Sequence, residues 1–233
     1  MTEENRSSSD SERAALLVGA TGLTGGHLRS ILLASPRTRS VRALVRRPSA
    51  HDHPTLDERV VDFDHLDDAV FVGIDDVHCC LGTTIKTAGS QDAFRRVDLD
   101  YVTRIAQRAR AAGARRFLLV SAVGADSSSG NFYLRTKGEA EAAVAACGYP
   151  EVHVFRPGVL TGNRRELRPA ERVGILLGHV FTPVMLGGLR RYRPIAAATV
   201  ARAMAVAAHH GVEGHHVHRN VEILRLASRP GAV

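Results

Sequence analysis

Residues 19–25, with the sequence Gly-Ala-Thr-Gly-Leu-Thr-Gly, decide the fold of this chain. They follow an apolar run at residues 14–18 and precede a helix-like stretch at residues 26–33. Such a glycine turn suits a dinucleotide, because glycine lets the backbone approach a pyrophosphate and the helix N-terminus attracts its charge. The spacing is G-x-x-G-x-x-G rather than G-x-G-x-x-G, so a tight turn without a ligand stays the alternative. The residues predicted to bind the cofactor here are Gly19, Thr21, Gly22, Leu23, Thr24 and Gly25.

Composition and charge limit the class of protein. The chain has 233 residues, of which 44% are hydrophobic, and this suits one domain with a sizeable core. Its net charge is +7, but the basic residues are dispersed in pairs such as Arg46 and Arg47, so we expect no nucleic-acid partner. Residues 1–13 are polar and rich in serine and glutamate, which predicts a disordered leader before a single domain at residues 14–233.

Cysteine content and hydropathy predict the cellular environment. Cys79, Cys80 and Cys147 form no C-x-x-C motif, and an odd count without a signal peptide indicates reduced thiols in a cytoplasmic protein. The longest weakly polar run, residues 173–189, contains Pro183 and falls short of the roughly 20 residues that span a bilayer. We therefore expect no membrane association. We expect the protein to be either a monomer or a homodimer.

Strand and helix signals alternate along the rest of the chain. Ser90 is predicted to cap a long helix through Ala112, and a second helix covers residues 133–147. The alternation predicts an α/β protein with a Rossmann-like doubly wound parallel sheet, helices on both faces and a small C-terminal substrate or lid region. Residues 173–189 would form core packing, an apolar lid, or a membrane or partner surface. Strands after the first are predicted at residues 41–45, 59–63, 76–81, 116–121 and 151–155.

The residues after the second and third strands bear on the choice of cofactor. A protein that selects NAD places an acidic residue after the second strand to bind the ribose 2′-hydroxyl, whereas this chain has Arg46 and Arg47. Their guanidinium groups suit a 2′-phosphate, which favours NADP(H) and leaves NAD(H) and a solvated basic turn as alternatives. Asp62 and Phe63, after the third strand, are predicted to flank the adenine, although Asp62 could equally cap the next turn.

A tyrosine and a lysine four residues apart form the candidate catalytic pair. Tyr133 and Lys137 would share one helical face, where the ammonium lowers the pKa of the phenol and lets it exchange a proton near neutral pH. Ser121, at the end of the fifth strand, would hydrogen-bond the same substrate oxygen. The alternative is a surface tyrosine beside an unrelated lysine, because Y-x-x-x-K occurs often by chance.

Together these motifs resemble the short-chain dehydrogenase/reductase superfamily, in its atypical and extended branches, and more narrowly the NADPH-binding Tat-interacting-protein family. The resemblance covers residues 14–227 and rests on the glycine turn and on residues 80–86, 121–126 and 156–172. It implies that Tyr133 is the acid/base, that Lys137 orients the nicotinamide ribose, and that Ser121 positions the substrate. It also implies cofactor contacts from Leu81, Gly82, Thr83, Tyr133, Lys137, Pro157 and Val159.

One residue departs from the superfamily pattern. Asp98 stands where many members have an asparagine that completes a proton relay. A carboxylate accepts hydrogen bonds but cannot donate an amide one, so the relay differs here or is absent.

Five histidines near the C-terminus suggest a metal site but lack the carboxylate or cysteine pattern that usually accompanies one. We expect no metal there, and a polar helix end followed by a turn. The histidines are His209, His210, His215, His216 and His218.

The motifs predict an NADP(H)-binding short-chain oxidoreductase that transfers hydride between the nicotinamide and an unidentified carbonyl or alcohol. Two alternatives stay open. One is a non-catalytic NADPH-binding regulatory or scaffold protein, and the other is an epimerase- or dehydratase-like enzyme that retains its cofactor. The alternatives differ in whether Ser121, Tyr133 and the nicotinamide share an open pocket.

Overall fold

A computed structural model of the protein describes residues 12–162 and 193–229. Within these ranges, seven parallel strands form a central sheet and two short strands form a separate pair. The sheet contains β1 (Arg13–Val18), β2 (Thr38–Val45), β3 (Leu56–Val60), β4 (Asp76–Cys79), β5 (Arg116–Val120), β6 (Glu151–Arg156) and β9 (Gly214–Arg219), and the pair is β7 (Leu160–Thr161) with β8 (Ile195–Ala196). The spatial order β3-β2-β1-β4-β5-β6-β9 reverses between β1 and β4, where doubly wound sheets bind their ligands.

Helices cover both faces of the sheet. Apolar residues of α1, α6 and α7 pack on one face, and those of α4 and α5 pack on the other. A short 3₁₀ turn (Asp68–Phe71) precedes β4, and a π-helical turn (Arg96–Asp100) joins α3 to α4. The predicted doubly wound α/β fold is therefore confirmed. The helices in the described residues are α1 (Leu23–Ala34), α2 (Ile85–Ala88), α3 (Gln91–Arg95), α4 (Tyr101–Ala111), α5 (Phe132–Ala145), α6 (Ala197–His210) and α7 (Asn220–Ala227).

The third strand and the helix that begins after Ser90 differ from the sequence prediction for local reasons. The third strand was predicted at residues 59–63 but runs from Leu56 to Val60, because Asp62 starts a turn in which its carboxylate accepts the backbone N–H of Asp64. The long helix capped by Ser90 contains the π turn, so it forms three consecutive segments rather than one regular helix. The extra residue in a π turn shifts the following side chains around the helix axis, and an apolar periodicity does not reveal that shift.

The C-terminal histidines are divided between two elements. His209 and His210 end α6, as predicted, but His215, His216 and His218 lie in β9 at the edge of the sheet, so the predicted turn is wrong there. The strand exists because it pairs in parallel with β6, and the His218 ring stacks on Phe155 at a centroid distance of 4.9 Å. Histidine is a weak strand signal, so this long-range pairing left no local pattern.

Several sequence predictions concern other features of the chain. The described residues contain no group of three or more His, Cys, Asp or Glu side chains placed to hold a metal ion. No helix in the described ranges is both long enough and apolar enough to cross a membrane. All three cysteines are free thiols. Residues 1–11 of the predicted leader and the whole run 173–189 lie outside the described residues, whereas Arg13 already belongs to β1.

Candidate functional site

Two glycines of the turn after β1 are required by close packing. Gly19 has a φ of +83°, and a Cβ on it would lie 2.5 Å from the carbonyl oxygen of Cys80, which follows β4. A Cβ on Gly25 would lie 2.1 Å from the carbonyl oxygen of Gly19. Any larger residue at either position would push the turn away from β4 or α1 away from the turn. These two glycines therefore serve the protein's own packing.

Gly22 is a glycine for a different reason. A Cβ on it would meet only the Gly19 carbonyl oxygen, at 3.2 Å, and its φ of −79° suits any residue. It is the N-cap of α1 and supplies no side-chain cap, so the first N–H groups of the helix have no partner within the helix. The buried Thr24 Oγ1 also has no hydrogen-bond partner among the described residues. Unpaired donors at a helix N-terminus fit a phosphate, so the residues present suit a dinucleotide.

Two other residues of the turn, Thr21 and Leu23, differ in their surroundings. Thr21 is exposed at the tip of the turn. Leu23 packs against Gly162 after β7, where an added Cβ would lie 2.8 Å from Leu23 Cδ1. The end of β7 therefore lies beside the start of α1.

The structure places Arg46 and Arg47 directly after β2, at its carboxyl end. Both side chains are exposed, and neither has an ion-pair partner in the described part of the chain. Asp62 caps its own turn, the alternative left open by the sequence, and its hydrogen bonds to His65 and Asp64 lower its pKa. Phe63 is buried and stacks on Tyr101 at 5.5 Å between ring centroids. Contact of these four residues with a cofactor stays a prediction.

Lys137 and Asp98 form a buried ion pair at the end of β4. The Lys137 Nζ lies 2.8 Å from Asp98 Oδ1, and the backbone N–H of Thr83 donates to Asp98 Oδ2 at 2.9 Å. Gly82 leaves room for the pair, since a Cβ there would lie 3.3 Å from Asp98 Oδ1. Leu81 precedes this glycine and packs partly buried against the core. The structure thus brings residues 82–83 and Lys137 together around Asp98, the partner of the lysine, while their contacts with a cofactor stay a prediction.

Tyr133 lies one helical turn before Lys137 on α5, and its ring packs 5.6 Å from that of Phe94. Burial raises the pKa of Tyr133, the Lys137 ammonium lowers it, and the Asp98 carboxylate raises it again. The net pKa is above the ordinary value, so the sequence prediction of a lowered pKa is wrong for this structure. The reason is that burial disfavours the phenolate and that Asp98 offsets part of the effect of the lysine charge.

The hydroxyl of Ser121, which directly follows β5, donates to the carboxylate of Glu141 on α5. Glu141 also accepts from Arg156 Nε, at 3.0 Å and 3.1 Å to its two oxygens. Ser121 and Glu141 are both buried. Sequence reasoning missed Glu141, although it lies four residues after Lys137 and therefore on the same helical face as Tyr133 and Lys137.

Residues after β6 complete the edge of the site. The carbonyl oxygen of Pro157 accepts the backbone N–H of Val123 at 2.9 Å, and that of Val159 accepts the N–H of Ile195 at 2.9 Å. The Val159 side chain is exposed. The predicted site residues thus follow the carboxyl ends of β1 to β6, which all point to one edge of the parallel sheet. Their individual contacts with a cofactor or substrate stay predictions.

A doubly wound parallel sheet with a glycine turn after β1 defines a Rossmann-like dinucleotide-binding fold. The chain belongs to the NAD(P)H-binding family, whose match covers residues 19–210. It is 41% identical over 164 residues to protein HTATIP2 of Rattus norvegicus, covering 68% of this chain and 67% of that protein. It is also 33% identical over 213 residues to protein fmp52, mitochondrial, of Aspergillus clavatus, covering 85% of this chain and 88% of that protein.

Solved structures share the fold. MoeE5 in complex with UDP-glucose and NAD superimposes with a TM-score of 0.68 at 19% identity, covering 92% of this chain and 81% of that chain. At this level of identity the likeness establishes the fold only.

Proposed function

We propose that this protein is an NADP(H)-dependent oxidoreductase that reduces a carbonyl compound or oxidises the corresponding alcohol, with Tyr133 as the acid/base. The observation that carries the proposal is the half-buried Tyr133 side chain one helical turn from the buried Lys137 ammonium, at the carboxyl edge of the sheet. A titratable phenol beside a fixed cation in a dinucleotide-binding fold is suited to proton transfer.

The residues that would hold the cofactor lie in two groups. Gly22 and the first turn of α1 would bind the pyrophosphate through unpaired backbone N–H groups. Arg46 and Arg47 would bind a 2′-phosphate, which supports NADP(H) over NAD(H). The bound nicotinamide would supply or accept the hydride.

Tyr133 would supply the proton. Because its pKa is raised above the ordinary value, the phenol is protonated at neutral pH and can donate to a carbonyl oxygen. The same raised pKa leaves little phenolate at neutral pH to accept a proton from an alcohol, so the proposal gives Tyr133 the role of proton donor in carbonyl reduction. Lys137 would orient the tyrosine and the cofactor ribose, while Asp98 keeps the ammonium charged, since the pKa of Lys137 is raised although burial alone would lower it.

Ser121 would orient the substrate in a restricted way. Its hydroxyl proton is donated to Glu141, so only its lone pairs are left for another partner. Ser121 would therefore accept a hydrogen bond from an alcohol, and would have to leave Glu141 before donating to a carbonyl oxygen.

The second candidate is an NADPH-binding regulatory protein without turnover. The observation that favours it concerns the Lys137 ammonium and the Ser121 hydroxyl. Both already have a carboxylate partner within the chain, Asp98 for Lys137 and Glu141 for Ser121. In such a protein the bound cofactor would set the shape of a partner surface. A cytoplasmic location is also part of our proposal, supported by the three free thiols.

The substitution Tyr133→Phe tests the proposal, since it removes the transferable proton and keeps the ring. We expect NADPH affinity to change little, while reduction of members of a panel of aldehydes, ketones and quinones falls by about two to four orders of magnitude. Loss of NADPH absorbance measures turnover, and calorimetry measures binding. Tyr101→Phe is the matched control, because it also removes only a phenol hydroxyl, from a ring on α4 that stacks on Phe63 and not on Phe94.

Two results contradict the proposal in different ways. If NADPH binds but no panel member is reduced, and Tyr133→Phe still complements a deletion strain, the regulatory function replaces the enzymatic one. If turnover survives Tyr133→Phe undiminished, the protein is an oxidoreductase in which another group transfers the proton.

A further inference from the structure

Hydrogen bonds to β3 hold the C-terminal end of the turn that carries Arg46 and Arg47. Ser49, four residues after the end of β2, donates twice to the carboxylate of Glu58 on β3. Its backbone N–H donates to Oε1 at 2.6 Å and its hydroxyl donates to Oε2 at 2.5 Å. Hydrogen bonds to a charged acceptor are the strong ones, so this double contact holds the turn firmly.

The register of the strands shows what the contact does to the turn. Val45, the last residue of β2, pairs with Val60, whereas Glu58 lies two residues earlier and pairs with Ala43. The contact with Glu58 therefore joins Ser49 to a position two residues before the end of β3. It closes the short segment between Val45 and Ser49, in which Arg46 and Arg47 are exposed.

A buried arginine on α1 lies within the electrostatic influence of Glu58. Arg29 is 7% exposed, and its Nη1 has no hydrogen-bond partner among the described residues. Burial lowers the pKa of Arg29, and the charge of Glu58 opposes part of that effect. Glu58 thus joins β3 to the turn after β2 by hydrogen bonds, and its charge acts on Arg29 of the helix whose N-terminus would hold the pyrophosphate.

The neighbouring carboxylate has a separate set of partners. Asp57 contacts Arg42 Nε at 2.8 Å and Arg59 Nε at 2.7 Å, and it makes no contact with Ser49. Adjacent residues of a strand point to opposite faces, so Asp57 and Glu58 face different sides of the sheet. Asp57 is thus a matched control for the charge of Glu58.

We propose that Glu58 is a positioning residue that sets the preference for a phosphorylated dinucleotide. It does so by holding in place the turn after β2 that carries Arg46 and Arg47. This inference rests on the proposed preference for NADP(H). Without the contact, the two long side chains and their turn would be ordered only when the 2′-phosphate binds, and that ordering weakens binding. NADH carries no 2′-phosphate, so its affinity is independent of the contact.

Titration calorimetry with NADPH and with NADH on the full chain tests the inference. Glu58→Ala removes the contact together with a negative charge, whereas Ser49→Ala removes the hydroxyl bond and keeps the charge. We expect the ratio of the two affinities to fall about fivefold in Glu58→Ala and by less in Ser49→Ala, with NADH affinity unchanged. Asp57→Ala should leave the ratio unchanged.

Each other outcome overturns the inference. If Glu58 acted only by its charge, Glu58→Ala would raise the preference for NADPH and Ser49→Ala would not change it. Equal losses of NADPH and NADH affinity would indicate a purely structural role, and Ser49→Ala provides the measurement if Glu58→Ala does not fold. If Arg46→Ala with Arg47→Ala removes the preference while Glu58→Ala keeps it, this inference is wrong and the proposed function stands. A wild-type protein without any preference contradicts both.

Discussion

The two ends of the candidate site differ in how their polar groups are satisfied. At the phosphate end, Gly22 caps nothing, Thr24 Oγ1 has no partner in the described residues, and Arg46 is exposed without an ion pair there. At the catalytic end, Lys137 pairs with Asp98 inside the protein. A buried charge must be paired within the protein, whereas an exposed charge such as that of Arg46 is hydrated and stays available to a ligand. Substitutions at the phosphate end therefore test ligand binding, and substitutions at the catalytic end test an internal ion pair of the fold.

The largest effect is expected at the phosphate end. Gly22→Val should abolish dinucleotide binding, because a β-branched side chain would enter the space left for the pyrophosphate. The fold should survive, since a Cβ at this position meets only one backbone atom, at 3.2 Å. Calorimetry with NADPH measures binding and circular dichroism measures folding.

A neighbouring glycine provides the control. Gly26→Ala adds a Cβ that would lie 3.7 Å from the Ala20 carbonyl oxygen, which is an ordinary contact, so it should fold and bind NADPH normally. A folded Gly22→Val variant that binds NADPH as the wild type does would mean that the turn serves structure alone.

A smaller but still large effect is expected at the catalytic end. Asp98→Asn should reduce the free energy of unfolding by about 3 to 5 kcal/mol, because it leaves the buried Lys137 ammonium without its counter-charge. Urea unfolding measures the change. If Asp98→Asn reduces the free energy of unfolding by no more than the loss of an exposed ion pair does, then Lys137 is accessible to solvent. The difference in pairing between the two ends of the site would then be wrong.

The control for this variant is an exposed ion pair. Asp68 contacts Arg108 Nη1 at 2.8 Å, with 83% of the Asp68 side chain exposed. Asp68→Asn should reduce stability by less than about 1 kcal/mol, because water screens such a pair.

The smallest effect concerns cofactor choice. We expect NADPH to bind at least about tenfold more tightly than NADH, which is about 1.4 kcal/mol, and the double substitution Arg46→Ala with Arg47→Ala should erase most of the difference. Competition between the two nucleotides in calorimetry measures it. Arg225→Ala, at an exposed position on α7, is the control and should keep the preference. Equal affinities in the wild-type protein would refute the NADP(H) assignment.

Features that depend on neighbouring residues were predictable from the sequence. The glycine turn, the alternation of strands and helices, and the i, i+4 spacing of Tyr133 and Lys137 are all local patterns, and the structure contains each of them. The helix cap at Ser90 is another, since its Oγ accepts the backbone N–H of Ala93 at 3.1 Å. Local geometry is encoded within a few residues, so a single sequence carries it.

Features that depend on distant residues were not predictable. Asp98 was known only as a departure from a relay asparagine, and its pairing with Lys137 comes from packing the π turn against α5. The contact between Ser121 and Glu141 spans 20 residues, and β9 exists through its pairing with β6. The periodicity of apolar residues along the sequence does not predict such contacts, because each one forms only when two distant elements pack together.

The class of this protein could be read from the sequence alone, since the glycines at residues 19–25 form a local pattern: a Cβ on Gly25 would lie 2.1 Å from the Gly19 carbonyl oxygen of the same turn. The tertiary structure alone decided the chemistry available to Tyr133. Burial and the Asp98 carboxylate raise the pKa of that phenol, where the sequence predicted that Lys137 would lower it. The reason is physical: a pKa reports the dielectric and the charges around a group, and both are set by residues far apart in the chain.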